Sequence, residues 1–170
     1  MIFRRTLLAA IAIALLGLGP AAAASVRIVA IGASNTSGWG VGEAAAYPAQ
    51  LQALLKARGV DAEVVNAGVP FETTNGMLAR IDSAVPHGTR LVIIQPGGND
   101  LRFLGSVERR TANINAMVAK LRARGIRAIV YDPKFPPEDY QWDFIHLNAK
   151  AHAKIAHSLL PQVIAAVGTR

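Results

Sequence analysis

The chain has 170 residues, with 18 Lys and Arg, 11 Asp and Glu, four His and no Cys. That length fits one domain with a substantial core, and a hydrophobic fraction of 52% excludes a disordered, charge-rich chain. Zero cysteine excludes disulfides, a cysteine nucleophile, thiolate zinc sites, iron–sulfur clusters and a lipid anchor on an N-terminal cysteine.

Residues 1–24 have the pattern of an export signal. Arg4 and Arg5 give a basic start, Thr6 to Leu18 is almost wholly apolar, Gly19-Pro20 breaks any helix, and Ala21 to Ala24 offer small side chains to a signal peptidase. The apolar run is shorter than the ~20 residues that span a bilayer, which favours a cleaved signal peptide over an uncleaved anchor. Cleavage after Ala24 would leave residues 25–170 as the mature domain, periplasmic or secreted. Loss of Arg4 and Arg5 would lower the formal charge from +7 to +5. The remaining charge is scattered. Arg109, Arg110, Lys120, Arg122, Arg124 and Arg127 lie on or after one predicted helix, with no interleaved aromatics. A solvated helix face explains them, with at most a weak attraction to an anionic envelope surface. Nucleic acid is not an expected partner.

Ser25 to Ile31 is a short apolar, β-branched run suited to a buried strand. The Gly, Ser, Asn and Thr residues of Gly32 to Gly42 predict a loop. Tyr47 to Arg58 reads as a helix, with Pro48 in its first turn, Leu51, Leu54 and Leu55 as its apolar stripe and Gly59 as its stop. Ala62 to Asn66 is a second strand. Thr74 to Ser83 is a second helix, capped by Thr73 or Thr74, with Met77, Leu78 and Ile81 inward. Leu91 to Gln95 is a third strand, ending in Pro96-Gly97-Gly98. Ser106 to Arg124 is a long helix on which Val107, Ile114, Met117, Val118 and Leu121 recur at helical spacing, stopped by Gly125. Ile126 to Tyr131 is a fourth strand, and Pro133 to His146 a Pro- and aromatic-rich loop. Asn148 caps a final helix whose Ile155, Ala156, Leu159, Leu160, Val163 and Ile164 form one face. His152 and His157, five apart on it, are expected at its surface.

Strands alternating with helices predict parallel β–α–β units with helices on both sheet faces: a three-layer α/β/α sandwich with a flavodoxin-like sheet of about four or five strands. Chemistry in such sheets collects in loops at the carboxyl ends of the strands, here 32–42, 67–73, 96–105 and 132–147. Ser34 follows the first strand. A serine hydroxyl is a poor nucleophile unless a base takes its proton, so the other loops must supply the rest. Asn66-Ala67-Gly68 ends the second strand with an unobstructed backbone N–H, and Gly97-Gly98-Asn99-Asp100 ends the third with a side-chain amide. Asp143-Phe144-Ile145-His146 precedes the last helix, and its spacing lets the carboxylate turn back onto the imidazole, leaving the other ring nitrogen free as a base. Each piece has a plainer alternative: a capping serine, a turn glycine, capping Asn99 and Asp100, a cap at Asp143 with His146 on the surface. Asp132 is a second candidate to orient His146.

Taken in order, the four blocks resemble the SGNH hydrolase family, the GDSL-type esterases and lipases. The family's Gly-Asp-Ser, glycine, Gly-x-Asn-Asp and Asp-x-x-His blocks correspond to Gly32-Ala33-Ser34, Asn66-Ala67-Gly68, Gly97-Gly98-Asn99-Asp100 and Asp143-Phe144-Ile145-His146. Glu72-Thr73-Thr74 and Asp143 to Asn148 are similar to segments beside those blocks, and the resemblance covers nearly all of residues 26–165. It implies an SGNH hydrolase domain over 25–170 and a serine hydrolase of carboxylic esters or thioesters, such as an esterase, acyl-CoA thioesterase or lysophospholipase. In that scheme Ser34 is the nucleophile, His146 the base and Asp143 its orienter. The oxyanion donors are the Ser34 N–H, the Gly68 N–H and the Asn99 amide, one such donor being worth ~3–4 kcal/mol in the transition state. Trp39, Phe71, Phe103 and Phe135 are candidates for an acyl pocket, which Tyr140 and Trp142 would help complete. No metal or organic cofactor is implied. The expected partner is a small-molecule or lipid-derived acyl ester, and the protein is expected to be monomeric. Two features depart from the family: Ala33 replaces the Asp before the serine, and the short stretch from Gly98 to Asp143 leaves no room for a fifth strand and its helix. They keep open a non-catalytic carbohydrate- or lipid-binding protein of the same fold, while deacetylation of an envelope carbohydrate is a second enzymatic reading that the same serine machinery would serve.

Overall fold

A computed structural model describes residues 25–102 and 105–168. The signal peptide expected over 1–24, and Phe103, lie outside the described residues. In chain order the elements are β1 (Val26–Gly32), α1 (Ser34–Ser37), α2 (Tyr47–Ala57), β2 (Ala62–Gly68), α3 (Thr74–Ala84), β3 (Thr89–Gln95), α4 (Asn99–Arg102), α5 (Val107–Ala123), β4 (Arg127–Val130) and α6 (Ala149–Val167). The four strands form one parallel sheet in the order β2-β1-β3-β4. Val26 to Gly32 lie opposite Ala62 to Gly68, and Ile28 to Gly32 opposite Leu91 to Gln95.

Both central strands are covered on both faces, which is why they are continuous apolar runs and not alternating ones. Successive side chains point to opposite faces. Ile28, Ala30, Leu91 and Ile93 pack with Leu51 and Leu55 of α2 and Ile155, Leu159 and Val163 of α6. Val29, Ile31, Val92 and Ile94 pack with Met77 and Ile81 of α3 and Met117 and Leu121 of α5. Each such fully buried side chain contributes roughly 1.5–3 kcal/mol through removal of apolar surface from water. The result is the expected three-layer α/β/α sandwich, with four strands among the described residues. All four strands end at one edge, at Gly32, Gly68, Gln95 and Val130.

Several local expectations are corrected. The segment 32–42, read as a loop, begins with the single helical turn α1, which Gly38 terminates at φ 82°. Thr36 of this turn donates from Oγ1 to Gln95 Oε1 at 2.7 Å, in buried surroundings. Gly32 and Gly68 make that seat possible. A Cβ on the first would overlap the Thr36 side chain, and one on the second the backbone of Thr36 and Ser37. Val107 is exposed, because α5 meets the sheet only further along, at Met117 and Leu121. Thr73 occupies the cap position of α3, yet its side chain makes no capping bond. The Asp100 carboxylate does so instead, accepting the Thr74 N–H at 3.0 Å and the Thr74 hydroxyl at 2.6 Å. His152, expected at the surface, is fully buried, whereas His157 is exposed. Asn148 does cap α6, its Oδ1 accepting the Ala151 N–H at 3.0 Å.

Candidate active site

Ser34 is the first residue of α1, immediately beyond the buried β1, so the turn lifts it onto the carboxyl edge of the sheet. Its N–H belongs to the first helical turn, where backbone N–H groups have no intrahelical partner. Among the described residues, the Ser34 hydroxyl has no hydrogen-bond partner, so it is not bonded to His146 in this structure. Ala33, before it, is buried at the cap position and offers no side-chain oxygen to the turn.

Asp143 and His146 meet directly. His146 Nδ1 lies 2.6 Å from Asp143 Oδ2. A carboxylate can only accept, so Nδ1 carries the proton and Nε2 of the neutral ring is left with its lone pair. Asp143 Oδ1 accepts the backbone N–H of Ile145 at 2.9 Å and of His146 at 3.0 Å. Those two amides, the His146 one first, and then the imidazole hold the Asp143 carboxyl down at about 2. Two bonds fix the loop as a whole. Gln141 donates its N–H to His146 O at 2.7 Å, and Leu147 donates its N–H to Asn35 Oδ1 at 2.9 Å. The second joins the residue after His146 to the residue after Ser34, across a sequence separation of 112. Asp132, the second candidate orienter, is engaged elsewhere: its Oδ2 accepts from Arg110 at 2.6 Å.

The two other candidate donors come from neighbouring strand ends. Gly68 N–H donates to Asn66 Oδ1 at 3.0 Å. Asn99, buried at the start of α4, donates one Nδ2 hydrogen to Glu72 O at 2.9 Å, leaving its second. Glu72 is in turn gripped by Arg80 of α3, whose Nε and one terminal nitrogen each lie 2.6 Å from a carboxylate oxygen. The same nitrogen donates to Ala67 O at 2.8 Å. Neither Asn35 nor this Glu72–Arg80 pair was singled out by sequence spacing as part of the site. Arg80 is eight residues after Glu72 and reaches back from its helix, a separation that carries no periodic signal.

Beside Ser34 and Asn99 opens a cavity of about 510 Å³. Phe135, Tyr140, Phe144 and Leu147 give it apolar walls, and Arg102, Arg110, Asp132 and Lys134 give it charge. Trp39 and Phe71, expected with Phe135 in an acyl pocket, do not line this cavity. They form an edge-to-face pair with centroids 5.2 Å apart, and Trp39 lies against His146 at 5.8 Å. Trp142 points to solvent, 88% exposed. Phe71 and Phe144, at φ 63° and 55°, hold left-handed backbone that bulky residues rarely adopt.

A parallel α/β/α sandwich that gathers a serine and an Asp–His pair at its carboxyl edge has the parts of a hydrolase. The model of the GDSL-like lipase/acylhydrolase family matches residues 30–159, and the chain belongs to that family. It is 31% identical over 152 residues to esterase TesA of Pseudomonas aeruginosa, an alignment covering 86% of this chain and 75% of that one. Among solved structures it is similar to a crystal structure of TesA, with a TM-score of 0.74 and 22% identity over 81% of this chain and 97% of that one. It is also similar to AlinE4, an SGNH-hydrolase family esterase, with a TM-score of 0.63 and 27% identity over 86% of this chain and 76% of that one. Family and relatives make this chain a hydrolase acting on ester bonds of small molecules.

Proposed function

We propose that the chain is a serine hydrolase cleaving carboxylic esters or thioesters of small or lipid-derived acyl groups through an acyl-enzyme on Ser34. The observation that supports it is the 2.6 Å Asp143–His146 contact, tied to the serine turn by the Leu147–Asn35 bond. Ser34 Oγ attacks the carbonyl carbon while His146 Nε2 takes its proton. The carbonyl oxygen becomes an oxyanion facing the Ser34 N–H, the Gly68 N–H and the free Asn99 Nδ2 hydrogen. Because Asn66 Oδ1 holds the Gly68 N–H in the free molecule, the oxyanion competes with it for that donor. Collapse expels the alcohol or thiol, which receives the proton from His146. Water then adds to the acyl-enzyme by the same route and releases the acid and free Ser34. Asp143 keeps the proton on Nδ1 and stabilises the imidazolium that forms.

The same reading puts the activity in the periplasm or medium after removal of residues 1–24, which N-terminal sequencing of the exported protein checks. A fluorophosphonate should label Ser34, and Ser34→Ala should abolish both labelling and turnover. Full turnover by Ser34→Ala would end the nucleophile assignment. A panel of p-nitrophenyl esters, acyl thioesters and acetylated sugars, ranked by kcat/KM, separates ester from thioester hydrolysis and from carbohydrate deacetylation.

A further inference from the structure

The charges around the cavity do not cancel. Among the described residues that line it, Asp132 is the one acidic side chain, and it already holds Arg110, which also donates to Gly97 O at 3.1 Å. Arg102 and Lys134 remain. They approach from different segments, Arg102 at the end of α4, three residues after Asn99, and Lys134 in the loop beyond β4. Both are exposed, and neither makes a hydrogen bond or ion pair among the described residues. Arg102 lies over Gly98, its Nε 3.9 Å from where a Cβ on that glycine would stand. The cavity therefore joins the candidate nucleophile, an apolar wall and two uncompensated cations. A concave site with low-dielectric walls and one sign of excess charge concentrates ligands of the opposite sign.

We propose that this cavity selects esters that carry an anionic group, a carboxylate or phosphate, which Arg102 and Lys134 receive while the reacting carbonyl lies at Ser34. The proposal rests on the serine-hydrolase reading and narrows it to a substrate class. The guanidinium presents a planar fork matched to either anion, and the ammonium adds a mobile point charge from the other side. Arg110 is not the recognition element, because Asp132 already balances its charge at 2.6 Å.

The test compares esters that differ only in charge. Mono-p-nitrophenyl suberate against p-nitrophenyl octanoate places the anion on the acyl side. 4-Carboxyphenyl butyrate against 4-carbamoylphenyl butyrate places it on the leaving group. At low ionic strength kcat/KM should favour the anionic member of at least one pair by about tenfold, the sum of two exposed charge contacts. The arm that shows it tells which half of the substrate enters the cavity. The preference should shrink in about 0.5 M salt, where screening extends over only a few ångströms. It should collapse towards unity in Arg102→Gln/Lys134→Gln, and persist in Arg58→Gln/Arg90→Gln, which removes two exposed cations from the opposite edge of the sheet. Equal rates in both pairs, a preference retained by the first double variant, or one lost equally in the second would each overturn the proposal. Turnover of the neutral esters without discrimination leaves the serine-hydrolase reading standing. Turnover of none of the four contradicts that reading itself.

Discussion

Asp143 commits Oδ1 to the amides of its own loop and Oδ2 to the His146 ring. With its carboxyl held at about 2, it is ionised throughout the range in which the protein would be assayed. Its contribution to folding is present above the ordinary carboxylate pKa and is lost only as pH falls towards about 2. Any loss of activity on mild acidification therefore does not come from Asp143. Asp143→Asn separates charge from geometry. An amide can still accept the two backbone bonds through its oxygen, but turns an N–H towards Nδ1 and favours the tautomer with the proton on Nε2. Turnover of a p-nitrophenyl ester should then fall on the order of a thousandfold or more, while circular dichroism stays that of the wild type. A variant within threefold of wild type would show that the Asp143 contact has no part in the reaction.

At the level of the elements, Arg80 links the end of β2 to the segment before α3. Its guanidinium holds Ala67 O on one side and both oxygens of Glu72 on the other, and Glu72 O receives Asn99. It touches no reacting atom, so its role is positioning. Arg80→Gln should lower kcat about tenfold, because misplacing an oxyanion donor weakens a bond made fully only in the transition state. KM and the acid limb of the pH profile should stay put. A rise in KM alone, or no change, would assign the pair to stability only. This clamp also marks the boundary of what the sequence makes legible. The central strands are readable because burial on both faces forces unbroken apolar runs, and the long helices because their stripes repeat. Ser34, Gly68, Asn99, Asp143 and His146 are readable as candidates because parallel topology sends every strand to the same edge. The turns α1 and α4 are not, since one turn has no period and Ser, Asn and Thr favour caps over helix. The partners of Asn35, Glu72 and Asp100 are also hidden. Each acts on a partner that only the fold brings near, as Asp100 does on Thr74, 26 residues away.

On the scale of the whole molecule, the layer formed by α2 and α6 contains a group at odds with its surroundings. His152 falls on the same α6 stripe as Ile155, Ala156 and Leu159, so the helix carries it into the core, although its polar type and its spacing from His157 suggest a surface residue. Its Nδ1 accepts the Tyr47 N–H at the start of α2 at 3.2 Å, and the two rings stack with centroids 6.5 Å apart. The proton of the neutral ring is therefore on Nε2, which is buried without a hydrogen-bond partner among the described residues. Burial lowers the pKa of His152 to about 4, since a second proton would leave a charge in the apolar layer. The sign of the linkage follows. Between an unfolded value near 6.5 and the folded value of about 4, the unfolded chain binds a proton that the folded chain refuses. Stability should thus fall as pH drops across that window and level off, for this group, below it. The loss should be on the order of 3 kcal/mol, read from urea unfolding at intervals between pH 7 and 4. His152→Phe keeps the stacked ring and removes the titration. It also leaves the Tyr47 N–H without an acceptor, which costs about 1 kcal/mol at pH 7. The variant should start less stable and lose less on acidification, so that the two curves converge or cross towards pH 4. Parallel curves over that window would mean that His152 takes up its proton in the folded state as readily as in the unfolded one.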